Sequence, residues 1–153
     1  MPESLFQWAN PIALLGWVAL VFSPLAPRIA LAWSGLVLPL VLSVGYTALM
    51  LVHWTASGGG FESLPAVAQL MENRWLLLAG WVHYLAFDLL VGTWAVKTAR
   101  REAIPHLLVL PCLLVTFLFG PAGFLMFQAL RASRQALPDR RVKAESGCAP
   151  AGT

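Results

Sequence analysis

Charge is what this chain has least of. Lys, Arg, Asp and Glu make up 11% of its 153 residues, whereas an ordinary soluble domain carries roughly 25%. No charged side chain falls between Glu3 and Arg28, between Arg28 and Glu62, or between Glu102 and Arg131. Such runs exclude a globular domain with a fully solvated surface and point to helices in a bilayer. Cysteine is almost as scarce. Cys112 lies in an apolar run and Cys148 in a polar tail, so a disulfide framework is excluded, and no CxxC motif offers metal or thiol chemistry. The net charge of +3 comes mostly from the C-terminal tail. With no basic fold of the kind that grips nucleic acid, that tail is expected to face anionic membrane lipid, and nucleic acid is not an expected partner. The first seven residues carry Glu3 and no Lys or Arg, unlike a secretory signal. The first apolar stretch is therefore expected to remain as a helix.

Hydrophobic residues, 59% of the chain, gather into four runs at about 5–26, 29–53, 75–96 and 106–130. Each is long enough for a hydrocarbon core of roughly 30 Å. The expected fold is all-α, with four transmembrane helices in a small bundle over residues 1–134 and a basic, disordered cytoplasmic tail over 135–153. Asn10-Pro11 reads as a helix cap followed by proline at the first helical position. Pro39 and Gly45 fall inside the second run, and Gly120-Pro121-Ala122-Gly123 interrupts the fourth. Residues 65–71 read as a short surface helix capped by Ser63. Trp8, Trp33, Trp54 and Trp75 stand near predicted helix ends, where amphipathic rings suit the headgroup level. Trp17, Trp81 and Trp94 lie deeper, either packing between helices or lining a groove for a flat, elongated apolar ligand. An even number of crossings would put both termini on one side. On that count the cations divide six to four: Arg74, Arg131, Arg134, Arg140, Arg141 and Lys143 against Arg28, Lys97, Arg100 and Arg101. The positive-inside rule then gives a slight preference for both termini in the cytoplasm.

The third run, LLLAGWVHYLAFDLLVGTWAV from Leu76 to Val96, carries His83 and Asp88. A carboxylate at that depth costs roughly 2.5–3.5 kcal/mol on insertion scales, so it is expected to have a partner or a use. Five helical positions leave the two side chains about 140° apart. They cannot form the i, i+4 pair that grips a metal in HExxH helices. His83 shares a stripe with Gly80 and Phe87, and Asp88 one with Tyr84, Leu85 and Gly92. Two readings follow. Asp88 staples neighbouring helices through His53, Tyr46, Thr116 or His106, or it serves as a buried acid or base. Nothing in the spacing of the histidines and carboxylates calls for a metal, and no cofactor is expected.

The run GWVHYLAFDLLVG (Gly80 to Gly92), followed by ARREAIPHLLVLPCLLVTFLFGPAGFLMF (Ala99 to Phe127), resembles the membrane-protein family named for the plant abscisic-acid-deficient-four protein, neoxanthin synthase. The opening FQWANPIALLGW (Phe6 to Trp17) looks like the start of bacterial members, and no plastid transit sequence is expected. The resemblance is most specific at Trp81, Val82, His83, Asp88 and Leu89. Members often carry Arg soon after this Asp-Leu; here that neighbourhood holds Thr93, and the next cation is Lys97. The resemblance implies four membrane helices, a multi-pass place in a bacterial inner membrane, and a link to carotenoids. It implies a cofactor-free isomerase in which a protonated Asp88 is the catalytic acid and a neutral His83 the base, and Trp81, Tyr84 and Phe87 bind a carotenoid or other polyene. The alternative is a non-catalytic accessory protein that binds a pigment, lipid or partner protein. A homodimer is compatible with so thin a bundle.

Overall fold

The computed structural model describes residues 1–56 and 58–136. Helix α1 spans Pro2–Val21. Helix α2 spans Pro27–His53, with a π-helical turn over Trp33–Val37. A short α3 covers Leu64–Glu72, α4 Arg74–Arg101, and α5 His106–Ala136. No strand occurs among the described residues. As expected, four of these helices are apolar and long enough to cross a membrane. Of the tail expected over 135–153, residues 135 and 136 complete α5, and 137–153, with Cys148, lie outside the described residues.

Local chemistry explains the boundaries. Ser63 Oγ accepts from the Ala66 N–H at 3.3 Å, so the surface helix carries the cap its sequence announces. Asn73 caps α4 in the same way, accepting from the Trp75 N–H at 3.0 Å. Asn10 is not a cap. Helix α1 begins at Pro2 and runs through Pro11, and Asn10 Oδ1 instead accepts from the Trp81 indole at 2.8 Å. A bilayer offers the chain no better backbone partners than its own helix, so proline is carried inside it. In α2, Pro39 has no N–H for the preceding turn, and the wider π turn at Trp33–Val37 stands in front of its ring.

Helix α4 is the centre of the molecule. Half of its most apolar window (50%) is buried, against 22–33% for the other three long helices. Helix α1 runs parallel to it: Glu3 pairs with Arg74 at 2.9 Å, Asn10 meets Trp81, and the Trp17 ring lies on Gly92. Helix α2 runs antiparallel: Gly35 meets Thr93, Tyr46 lies beside His83, and His53 stacks on Trp75 at 4.6 Å. One apolar cluster joins Trp17, Leu20, Leu89, Val96, Val109 and Phe127, and a second joins Ala13, Leu42, Leu78, Val82 and Leu85.

Helix α5 takes a course that its length does not suggest. Phe119 has φ −144° and ψ 51°, outside the helical region, and the helix divides there. The first half runs back along α4, with His106 at Val21, Val109 near Val96 and Phe117 at Tyr84. The second half then returns. Gly120 lies at Asp88, Phe124 and Phe127 pack on Trp94 at 5.4 and 5.5 Å, and Arg131 pairs with Glu102. A straight helix would hold residues 106 and 131 roughly 37 Å apart, yet Arg131 sits beside the residue that precedes the turn into α5. The fourth apolar segment is therefore a helical hairpin whose tip stops near the level of Asp88. Gly123 makes the fold-back possible, because a Cβ there would collide with Thr116.

The hairpin changes the sidedness of the molecule. Residues 1 and 136 lie at opposite ends of the bundle, not on one side. Of the described cations, Arg28, Lys97, Arg100, Arg101, Arg131 and Arg134 gather at one end, and Arg74 stands at the other with Glu3, Glu62 and Glu72. The six-to-four division assumed a fourth crossing that the contacts of Arg131 and Phe127 do not allow.

A candidate functional site beneath the helical hairpin

A helix that divides in a membrane exposes polar backbone at both cut ends. The last carbonyls of the first half and the first N–H groups of the second have no intrahelical partners. Helix α4 presents two side chains to this break, one turn apart. The Tyr84 hydroxyl donates to the Phe117 carbonyl at 3.0 Å, satisfying the first cut end. The Asp88 carboxyl lies against Gly120, where the second half begins. A helix start carries partial positive charge, so an acidic group is well placed there. Any side chain at 120 would overlap that carboxyl, which is why glycine holds the position. Asp88 is only 8% exposed, and its Oδ2 has no hydrogen-bond partner among the described residues.

The tip of the hairpin leaves space below it. Asn10, Pro11 and Leu14 of α1, Trp81, Tyr84 and Leu85 of α4, and Phe117 and Leu118 of the tip line a cleft of about 460 Å³. A second cleft of about 470 Å³ continues upward between α1 and the first half of α5 and shares Leu14 and Phe117 with it. The upper cleft is lined by apolar residues alone, from Trp17 and Val21 to Leu110 and Leu114. The two clefts lie end to end along α1 on either side of Leu14 and Phe117, with polar groups only at the lower one.

The residues expected from the sequence divide between two faces. Asp88 and Tyr84 meet at the break, and Trp81 and Tyr84 line the cleft. His83 and Phe87 lie elsewhere. The His83 ring stacks on Phe87 at 4.4 Å and lies beside Tyr46 at 5.3 Å, on the α2 side, and both His83 and Phe87 are exposed. The structure therefore does not bring His83 and Asp88 together. Nor is Asp88 met by His53, Tyr46 or His106, which contact Trp75, His83 and Val21 respectively. Thr116 donates to the Cys112 carbonyl at 2.7 Å. The site residues that the sequence reading passed over are Asn10, Phe117 and Gly120. For Phe117 and Gly120 the signal was the Gly-Pro-Ala-Gly interruption, which marks a break without saying which way the chain leaves it; Asn10 had read as a helix cap. Among the described residues no three His, Cys, Asp or Glu side chains converge on a point that would hold a metal.

Comparison with known proteins gives one match: the profile of the family described as ABA DEFICIENT 4-like fits residues 4–127 of the chain. No curated protein and no solved structure matches it.

Proposed function

Because the chain belongs to the ABA DEFICIENT 4-like family, we propose that it is a membrane enzyme that isomerises an oxygenated polyene in the clefts along α1. The observation that carries this reading is the position of Tyr84. Its ring lines the lower cleft while its hydroxyl lies at the helix break beside Asp88, the one carboxyl among the described residues buried within the bundle. The apolar upper cleft suits the rod-like chain of a polyene, and the oxygenated end ring would lie below, between Asn10, Trp81 and Tyr84.

The resemblance to neoxanthin synthase supplies the reaction class. An epoxide C–O bond breaks, its oxygen gains a proton, and a neighbouring polyene carbon loses one, giving an allene and a tertiary alcohol. No electrons are gained or lost, so the protein has only to deliver one proton and accept another. Tyr84 is the donor that reaches the cleft. Its phenol gives a proton to the epoxide oxygen, the resulting tyrosinate takes the proton that leaves the polyene carbon, and Asp88 behind it, as the acid, hydrogen-bonds the tyrosinate in between, so the pair ends the cycle as it began. His83 lies on the far face of α4 and takes no part.

The test is the pigment profile of a host that makes epoxy-carotenoids and expresses the chain. Wild type and His83→Ala should yield the same new pigment. Tyr84→Phe and Asp88→Asn should reduce it by at least about 100-fold, the lower range for loss of a general acid–base group, while both variants still accumulate in the membrane. A profile that wild type leaves unchanged would sink the enzyme reading. The accessory-protein reading rests on the same two residues, since Tyr84 and Asp88 complete the hairpin's cut ends. It predicts that both variants fail to accumulate.

A further inference from the structure

At the cationic end of the bundle, outside both clefts, Leu31 of α2 and Lys97, Arg100 and Arg101 of α4 line a recess of about 270 Å³. The three cations stand at i, i+3 and i+4, so one face of the helix presents them all. Exposed Lys97 reaches over the π turn of α2, where a Cβ on Gly35 would come within 3.2 Å of its ammonium nitrogen. Among the described residues none of the three has an ion pair. The nearest carboxylate in sequence, Glu102, is held by Arg131 through the hairpin, and Glu3, Glu62 and Glu72 are at the other end. Three like charges held this close repel one another unless an anion lies between them.

We propose that this recess binds the phosphodiester headgroup of an anionic glycerophospholipid. Its position carries the choice of ligand. The recess lies where α2 begins and α4 ends, at the level of the headgroups rather than in the hydrocarbon. Leu31 gives it an apolar wall on the side of α2. With the hairpin folded back, the bundle's cations lie almost entirely at this end. The positive-inside rule then sets it in the cytoplasmic leaflet, where a bilayer's anionic surface potential attracts basic groups. The lipid would bridge α2 and α4 and hold the π turn in place. This inference is independent of the chemistry proposed for Tyr84.

The experiment is native mass spectrometry of the full chain released from detergent, titrated with phosphatidylglycerol and with phosphatidylcholine. Wild type should prefer phosphatidylglycerol by at least about tenfold. Each of Lys97→Gln, Arg100→Gln and Arg101→Gln should weaken that preference by about fivefold, the effect of one cation at a membrane surface. Arg74→Gln, at the other end, should leave it intact. Equal affinity for the two lipids, or variants that keep the preference, would overturn the proposal. So would displacement of phosphatidylglycerol by inorganic phosphate at the same concentration, which would reveal a free-anion site instead.

Discussion

Tyr84 and Asp88 stand one turn apart on α4, and each meets a different cut end of the same interrupted helix. A carboxyl within a bilayer is costly in isolation, by roughly 2.5–3.5 kcal/mol. Here the break in α5 is costly too, and the two liabilities offset each other. Gly120 makes this possible by leaving room for the carboxyl. Gly120→Ala should therefore destabilise the protein by about 1–3 kcal/mol, the usual cost of overpacking a tight site. Thermal unfolding in detergent would check it, and an unchanged midpoint would show that Asp88 is not lodged there. Asp88 was legible in the sequence because a lone acid in an apolar run stands out. Its true neighbours were not, because the torsions of Phe119 decide them and nothing about that phenylalanine announces a turn. His83 was legible on a different stripe from Asp88, about 140° away; only the resemblance paired the two, and the structure keeps His83 on the α2 side.

At the scale of elements, α5 contrasts two prolines. Pro111 sits inside the first half, and the helix continues through it. Pro121 follows the break. The difference lies in the neighbours. Gly120 is a poor helix former, and Pro121 offers no N–H to the Phe117 carbonyl and crowds it, so the helix opens between them at Phe119. Gly123 then lets the chain pass close to Thr116. The four-residue interruption was visible in the sequence, but the direction of the exit was set by contacts far along the chain, with Trp94 and Glu102. At the open end of the hairpin, Arg131 clasps Glu102, and this hydrogen-bonded partner holds the Glu102 carboxyl below its ordinary value of 4.5. A lowered folded-state pKa means that the stabilisation is present above the unfolded value and disappears as pH falls through the folded one. Wild type should therefore melt above Glu102→Gln at pH 6, and the gap should close as pH drops below the ordinary glutamate range. A gap that persists after the carboxyl is protonated would show that the clasp acts through something other than charge.

For the whole molecule, hydropathy alone gave four apolar helices, and those are present. Hydropathy measures length and not course, so it could not tell three crossings and a hairpin from four crossings. The charge count inherited that ambiguity and divided nearly evenly. With the hairpin folded back, the described cations fall six to one, and a weak orientation signal becomes a strong one. The account predicts that a cysteine placed at Ser4, in a background lacking Cys112 and Cys148, is labelled from the outer face of the membrane. A cysteine at Arg134 should be labelled only after the cytoplasmic face is opened. Labelling of both from the same side would contradict it.

The hairpin itself is open to a direct distance measurement. Leu107 and Ala132 are both exposed, near the two open ends of α5. With both replaced by spin-labelled cysteines in that same background, pulsed electron resonance on protein in lipid nanodiscs reads their separation. A folded-back helix predicts a narrow distribution below about 20 Å, since packed helices lie roughly 8–10 Å apart. A distribution centred near 37 Å, the span of 25 residues of straight helix, would contradict the hairpin and with it the cleft beneath its tip.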